Sequence, residues 1–273
     1  MRPTLVGAVL YDPKVAVIWD VIARYFVANG CRMDCVFYTN YELQVEALVA
    51  DHIDIAWNSP LAWVDAQRRT GGGCRAVAMR DTDRDRRTHL LVAADGPVRA
   101  TADLHGKSVA FGAADSPQAT LLPQLHLIRA GLTPGQDFAV RRHDVLVGKH
   151  GDHVGGERDA LESMLKGESA AAAVLDLNWD LWSRDGTCDP DRVRVLTTTP
   201  AFDHCNFTVT TASDRRAIDA WTRVLLAMDY ANPDHREMMD LEGLKAWLPG
   251  RTSGYADLTS ATETLHYFET VRA

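Results

Sequence analysis

The 273-residue sequence lacks a long uninterrupted apolar run, a CxxC pair and any excess of basic charge. Its longest apolar stretch near the N-terminus, Val15 to Val27, is broken by Asp20 and Arg24, which is too short and too charged to span a bilayer. Direct membrane insertion is therefore not expected. Met1 to Leu10 offers one Arg and a few strand-forming residues, without the apolar core or small-residue cleavage site of a secretory signal. As written, the chain is expected in the cytoplasm; a removed signal peptide would instead place it in the periplasm or outside the cell. Lys and Arg number 29 against 37 Asp and Glu, a net charge of −8. That balance argues against a general nucleic-acid partner, which requires a basic face. The five cysteines form an odd set, which points to reduced thiols rather than a disulfide framework. Cys31 and Cys35 have CxxxC spacing but no neighbouring residues to complete a structural zinc site.

What is present is a globular composition, 46% hydrophobic and 24% charged, arranged as strands alternating with helices. Thr4 to Leu10 predicts a buried strand, followed by a helix to Asn29 with Asp12 as cap, Pro13 at its first position and Gly30 as its stop. Cys35 to Tyr38 predicts a second strand, and Thr39 with Glu42 a capping box for a helix to Ala50. Ile53 to Trp57 predicts a third strand, which runs through Asn58-Ser59-Pro60 into a helix from Leu61 to Arg69. Such a βαβαβα series implies a parallel sheet covered on both faces. Ala76 to Met79 and Leu90 to Ala93 predict strands joined by the charged run Arg80 to Arg87, read as a solvated connection.

A second series starts at the strand Ser108 to Gly112, with Ser116-Pro117 opening a helix to Ala130 that Pro123 should kink. A strand at Phe138 to Arg142, a helix from Arg158 to Lys166 and a strand at Ala171 to Leu175 continue it. The rest predicts strands at Val195 to Thr199 and Phe207 to Thr210, then helices at Arg215 to Tyr230 and Leu241 to Trp247.

One pattern recurs three times. A strand ends in a short polar side chain and a proline at a helix start: Asp12-Pro13, Ser59-Pro60 and Ser116-Pro117. Helix N-termini carry unpaired N–H groups and partial positive charge, and in parallel α/β sheets they gather at the carboxyl ends of the strands. Asp12 would repel an anion, so the two Ser-Pro starts are the better anion candidates. Asn58, Ser59, Ser116, Gln118 and Thr120 are the expected hydrogen-bond donors, with Tyr11 and Trp57 shaping an apolar side. A second cluster, His150, Asp152 and His153, lies on a glycine-rich stretch. It suits either a divalent transition metal or acid–base catalysis, or is a solvated loop with incidental histidines. His204-Cys205 precedes a predicted strand. Neighbouring side chains of an extended segment point to opposite sides, so their adjacency does not make a nucleophile pair, and Cys205 reads as a buried apolar residue. His204 is retained as a ligand candidate, and Arg251 to Gly254 as a further anion candidate.

The stretches Tyr41 to Val64 (YELQVEALVADHIDIAWNSPLAWV) and Asp103 to Pro123 (DLHGKSVAFGAADSPQATLLP) resemble the phosphate, phosphite and phosphonate group of periplasmic substrate-binding proteins. Arg158 to Val174 resembles that group's next segment. The resemblance implies an α/β, bilobed fold of the type II periplasmic-binding-protein kind, with two Rossmann-like lobes and a central cleft. One lobe would comprise residues 1–92 plus 200–273, the other 93–199. It also implies a small anionic ligand and an ABC permease as partner. The family's Ser-Thr-Ser-Gly is replaced by Ser116-Pro117-Gln118-Ala119, and its His-Asp-Ala by Arg158-Asp159-Ala160. An added Arg158 would favour a second negative group on the ligand. Two functions are therefore expected as alternatives. The first is a binding protein for a phosphonate, phosphate, sulfonate or carboxylate. The second is a cytosolic enzyme on the same scaffold, resembling thiamine-pyrimidine synthases or menaquinone-pathway lyases, with His150, Asp152 and His153 as its catalytic or metal-binding groups.

Overall fold

Apolar strand runs alternating with capped helices form two separate sheets in the computed structural model, which describes residues 2–152 and 154–270. The chain runs β1 (Thr4–Val9), α1 (Lys14–Ala28), β2 (Met33–Tyr38), α2 (Tyr41–Val49), β3 (Ile55–Asn58), α3 (Pro60–Arg69), β4 (Cys74–Arg80) and β5 (Thr88–Ala93). It continues through β6 (Ser108–Phe111), α4 (Leu122–Arg129), β7 (Ala139–Arg142), α5 (Glu157–Leu165), β8 (Ala171–Leu175), α6 (Asp176–Asp185) and β9 (Val193–Thr198). After these come β10 (Asn206–Thr210), α7 (Arg215–Leu226), α8 (Pro233–Leu241), β11 (Trp247–Pro249), α9 (Ala256–Thr264) and α10 (Tyr267–Thr270).

Two compact units result. The first contains the residues up to Arg84 together with Asp203–Tyr255; the second contains Asp85–Phe202 together with the residues from Ala256 on. These bounds differ from the expected 1–92 plus 200–273 and 93–199 at both ends, for reasons of pairing and packing. Strand β5 hydrogen-bonds to β8 and β9 of the second unit, and α9 packs on α4.

The first unit's sheet has the order β11-β4-β10-β3-β1-β2. β1 pairs in parallel with β2 and β3, as the βαβ series predicts, but β10 inserts antiparallel between β3 and β4. The sheet is therefore mixed. Its core gathers Trp19, Ile22 and Phe26 of α1 with Phe207 of β10 and Trp221 of α7. In β1, a side chain at Gly7 would meet Ile53 Cδ1 at 2.5 Å, so glycine sets the close approach there.

The second sheet has the order β7-β6-β8-β5-β9, with β6 parallel to β7 and β8, and β5 antiparallel to β8 and β9. Two half-buried histidines tie into its edge strand. His89 Nδ1 lies 2.9 Å from Thr198 Oγ1, and His126 Nε2 lies 2.9 Å from Thr197 Oγ1. Burial holds both imidazoles below their usual 6.5; Asp176 and Asp180 oppose it at His89 while Arg87 adds to it, and at His126 Arg129 adds to it while Asp257 opposes. A histidine kept neutral by folding contributes stability that is complete above about pH 6.5 and is lost as the pH falls below it. The urea midpoint of the second unit should thus drop between about pH 7.5 and 5.5, and the H89Q/H126Q double variant should show a flatter dependence. An identical slope in that variant would refute this assignment.

Several local expectations are corrected. The cap of α2 is Asn40, accepting from Leu43 N–H at 2.9 Å, rather than Thr39. Pro117–Leu121 forms a π-helical turn, so Pro123 falls in the first turn of α4 and does not kink a helix interior. The helix expected over Leu241 to Trp247 is absent: α8 ends at Leu241, and Trp247 begins β11.

Candidate functional site

Both Ser-Pro helix starts form as expected, one in each unit. In the first, β3 ends at Asn58, Ser59 is the cap of α3 with Pro60 at its first position, and Ser59 Oγ accepts from Ala62 N–H at 3.1 Å. In the second, β6 leads to Ser116, which precedes Pro117 and accepts from Ala119 N–H, also at 3.1 Å. The same local chemistry thus recurs beyond the carboxyl end of a parallel strand in each unit. Such starts present N–H groups and partial positive charge to an anionic oxygen.

The surrounding side chains are buried and mostly engaged. Gln44 Nε2 donates to Trp57 O and to Asn58 Oδ1, both at 2.8 Å. Asn58 Nδ2 is buried with no acceptor among the described residues, a donor adjacent to the Ser59 cap. The Trp57 ring packs at 4.6 Å from Phe207 and 5.8 Å from Trp247, with the Arg80 guanidinium 5.2 Å from its centre. Tyr11 is half-buried against the same core. Both aromatics are therefore held within the first unit.

In the second unit, Ser116, Gln118 and Thr120 are all buried. Thr120 Oγ1 donates to Ala113 O at 2.7 Å, and Gln118 Nε2 donates to Gly151 O at 3.0 Å. The glycine-rich segment is thus seated on this helix start rather than solvated. Asp115, which the sequence reading missed, anchors it by accepting from His150 N–H at 3.2 Å and from Gly148 N–H. His150 and Asp152 are buried, whereas His153 lies outside the described residues. Arg158 has a side chain 60% exposed, with its Nε 3.7 Å from Glu162 of the same helix. It sits on a solvated face.

The charged run after β4 departs most from expectation. Arg80 and Asp83 form a buried two-point ion pair, with Nε to Oδ2 and Nη2 to Oδ1 both at 2.8 Å. Burial by itself would raise the Asp83 carboxyl, but the Arg80 charge and hydrogen bonds from His204 and Arg80 hold it at about 2. His204 and Cys205 also touch. They lie 3.1 Å apart, Sγ to Nδ1, because they precede β10 and escape strict strand alternation. Cys205 is buried, as expected. Arg251, read as an anion candidate, is committed to Asp203, with its Nε 2.7 Å from Oδ2. Burial pushes the Tyr255 phenol well up, so it stays protonated and donates to His204 O at 2.8 Å. Among the described residues, the group of His, Cys, Asp and Glu side chains with metal-like spacing is Asp83, His204 and Cys205. No helix among the described residues is long and apolar enough to cross a membrane.

Comparison with known proteins agrees with the two-sheet architecture. PhnD1 from Prochlorococcus marinus, solved with methylphosphonate, superposes with a TM-score of 0.72 over 97% of this chain and 98% of its own, at 16% identity. XAC2383 from Xanthomonas citri, solved with ATP, gives 0.74 over 97% and 98%, also at 16% identity. The aliphatic sulphonate-binding protein SsuA from Escherichia coli gives 0.62 over 99% and 94%, at 18% identity. These likenesses establish the periplasmic-binding-protein fold. An uncharacterized protein of Haemophilus influenzae is 60% identical over 35 residues, 13% of this chain, and the match spans about half (49%) of that relative's length. The sequence profile of the phosphonate ABC transporter periplasmic substrate-binding proteins matches residues 13–255, and the chain belongs to that family.

Proposed function

We propose that this chain is the receptor of an ABC import system for a small oxyanion of the phosphonate or sulfonate type. Membership of a binding-protein family favours this over the enzymatic alternative. The observation that carries it is the Ser-Pro helix start, repeated in both units with the same cap hydrogen bond. Each start would offer an anionic oxygen the partial positive charge of a helix N-terminus, a serine hydroxyl and the first-turn N–H that neither the proline nor the cap removes, that of Leu61 or of Gln118, and Asn58 Nδ2 adds a donor in the first unit. The replacement of the family's hydroxyl-rich turn by Ser116-Pro117-Gln118-Ala119 leaves fewer hydroxyl donors. The proposed permease partner implies that the chain works in the periplasm, where its family works.

Thermal unfolding with phosphate, methylphosphonate, an alkanesulfonate, acetate and ATP tests the proposal. One class should raise the midpoint saturably; at a hundredfold excess over Kd, stabilisation should reach about 2.7 kcal/mol. S59A and S116A should shrink that ligand-dependent rise, apart from the roughly 1 kcal/mol each loses as a cap. A flat response to every oxyanion would remove the basis of the proposal.

A further inference from the structure

We propose that Asp83, His204 and Cys205 are the protein ligands of a divalent transition-metal site of the zinc class, built within the first unit. The chain path brings them together. Asp83 closes the short turn that follows β4, and His204 and Cys205 immediately precede β10, which pairs antiparallel with β4. The backbone fixes their register, with His204 N–H donating to Asp83 O at 2.7 Å.

The geometry separates a metal site from a proton relay. A relay uses both ring nitrogens of histidine, one toward the thiol and the other toward the carboxylate. Here both partners converge on one atom: Cys205 Sγ lies 3.1 Å and Asp83 Oδ1 3.5 Å from His204 Nδ1. The other nitrogen, Nε2, is buried with no partner among the described residues. One donor atom from each residue lies within 4.8 Å of the others. Tetrahedral bonds of about 2.0 Å to nitrogen and oxygen and about 2.3 Å to sulfur would set ligand atoms roughly 3.3 to 3.6 Å apart. The two spacings to His204 Nδ1 lie close to that range, and the third is within 4.8 Å. A cation among the three atoms could be held by all of them at once, which one shared proton cannot.

The donor set selects the ion. Thiolate and imidazole favour zinc-like ions over magnesium or calcium, and three protein ligands leave a fourth position for water. Binding would release the Cys205 thiol proton and shift the histidine proton from Nδ1, where it faces Asp83, to Nε2. Arg80 grips both Asp83 oxygens and orients the carboxylate, as outer partners of metal ligands do. Its charge opposes the ion. Glu242, with Oε2 3.3 Å from Arg80 Nη1, offsets part of that opposition.

The test uses the full chain, stripped with a chelator and titrated with Co²⁺ alone. One equivalent should bind and produce thiolate-to-cobalt charge-transfer absorption in the near ultraviolet. C205S should abolish the band, H204Q should weaken binding at least about tenfold, and a C31S/C35S variant should retain it. The spectrum of the unsubstituted chain is decisive even where a variant fails to fold. Absence of the band, or a band that survives C205S, overturns the assignment.

Discussion

Trp221→Ala is expected to destabilise the first unit by about 3 to 5 kcal/mol, the range for deleting a fully buried large aromatic side chain. Trp221 is 0% exposed. Its ring stacks on Phe26 with centroids 5.0 Å apart and planes at 19°, and meets Phe207 at 4.8 Å and 70°. Phe207 in turn contacts Trp19, Trp57 and Trp247. The cavity would therefore open at the centre of an aromatic cluster whose members come from distant segments, where neighbours cannot easily collapse to fill it. Trp221→Phe gives the sharper reading. The indole Nε1 is buried with no acceptor among the described residues, so Phe keeps most of the ring packing and removes an unpaired donor. Its urea midpoint should fall much less than that of the alanine variant. Equal losses in the two variants would show that ring packing is not the source of the stability.

The same cluster shows why part of the site could not be read from the sequence. Ser59-Pro60 and Ser116-Pro117 were legible because a cap and a proline act within one helical turn. Asn232-Pro233 carries the same local signal and opens α8, so that helix start is legible in the sequence. Helix α6 is different. It starts directly after β8 with no side-chain cap, leaving little local punctuation to find. The burial of Arg80 and Asp83 depends on the pairing of β4 with β10, and sign alternation in sequence cannot distinguish a solvated run from an internal ion pair. His204 and Cys205 were visible as a motif, but their contact required knowing that they lie just outside a strand. Trp57 likewise sits at a strand end suited to a ligand, yet Phe207 and Trp247 claim its ring.

Gly151→Ala should destabilise the second unit by about 2 to 4 kcal/mol, whereas Gly135→Ala should cost only about 1 to 2. The two glycines share nearly the same backbone, with φ of +78° and +77°, so the left-handed strain is common to both. Their surroundings differ. A side chain at Gly135 meets nothing within 4 Å, while one at Gly151 would collide with Ser116 Oγ and approach Gln118 Nε2 at 2.8 Å. Relief requires the glycine-rich segment to lift from the helix start, which breaks the Gln118 bond to Gly151 O and exposes buried polar groups. The difference in urea midpoint between the variants therefore isolates the contact. Ligand-induced stabilisation supplies the functional half: if the Ser116 start receives the oxyanion, Gly151→Ala should lose most of it and Gly135→Ala should keep it. Equal retention in both would dissociate the seated segment from binding, leaving the oxyanion to the Ser59 start.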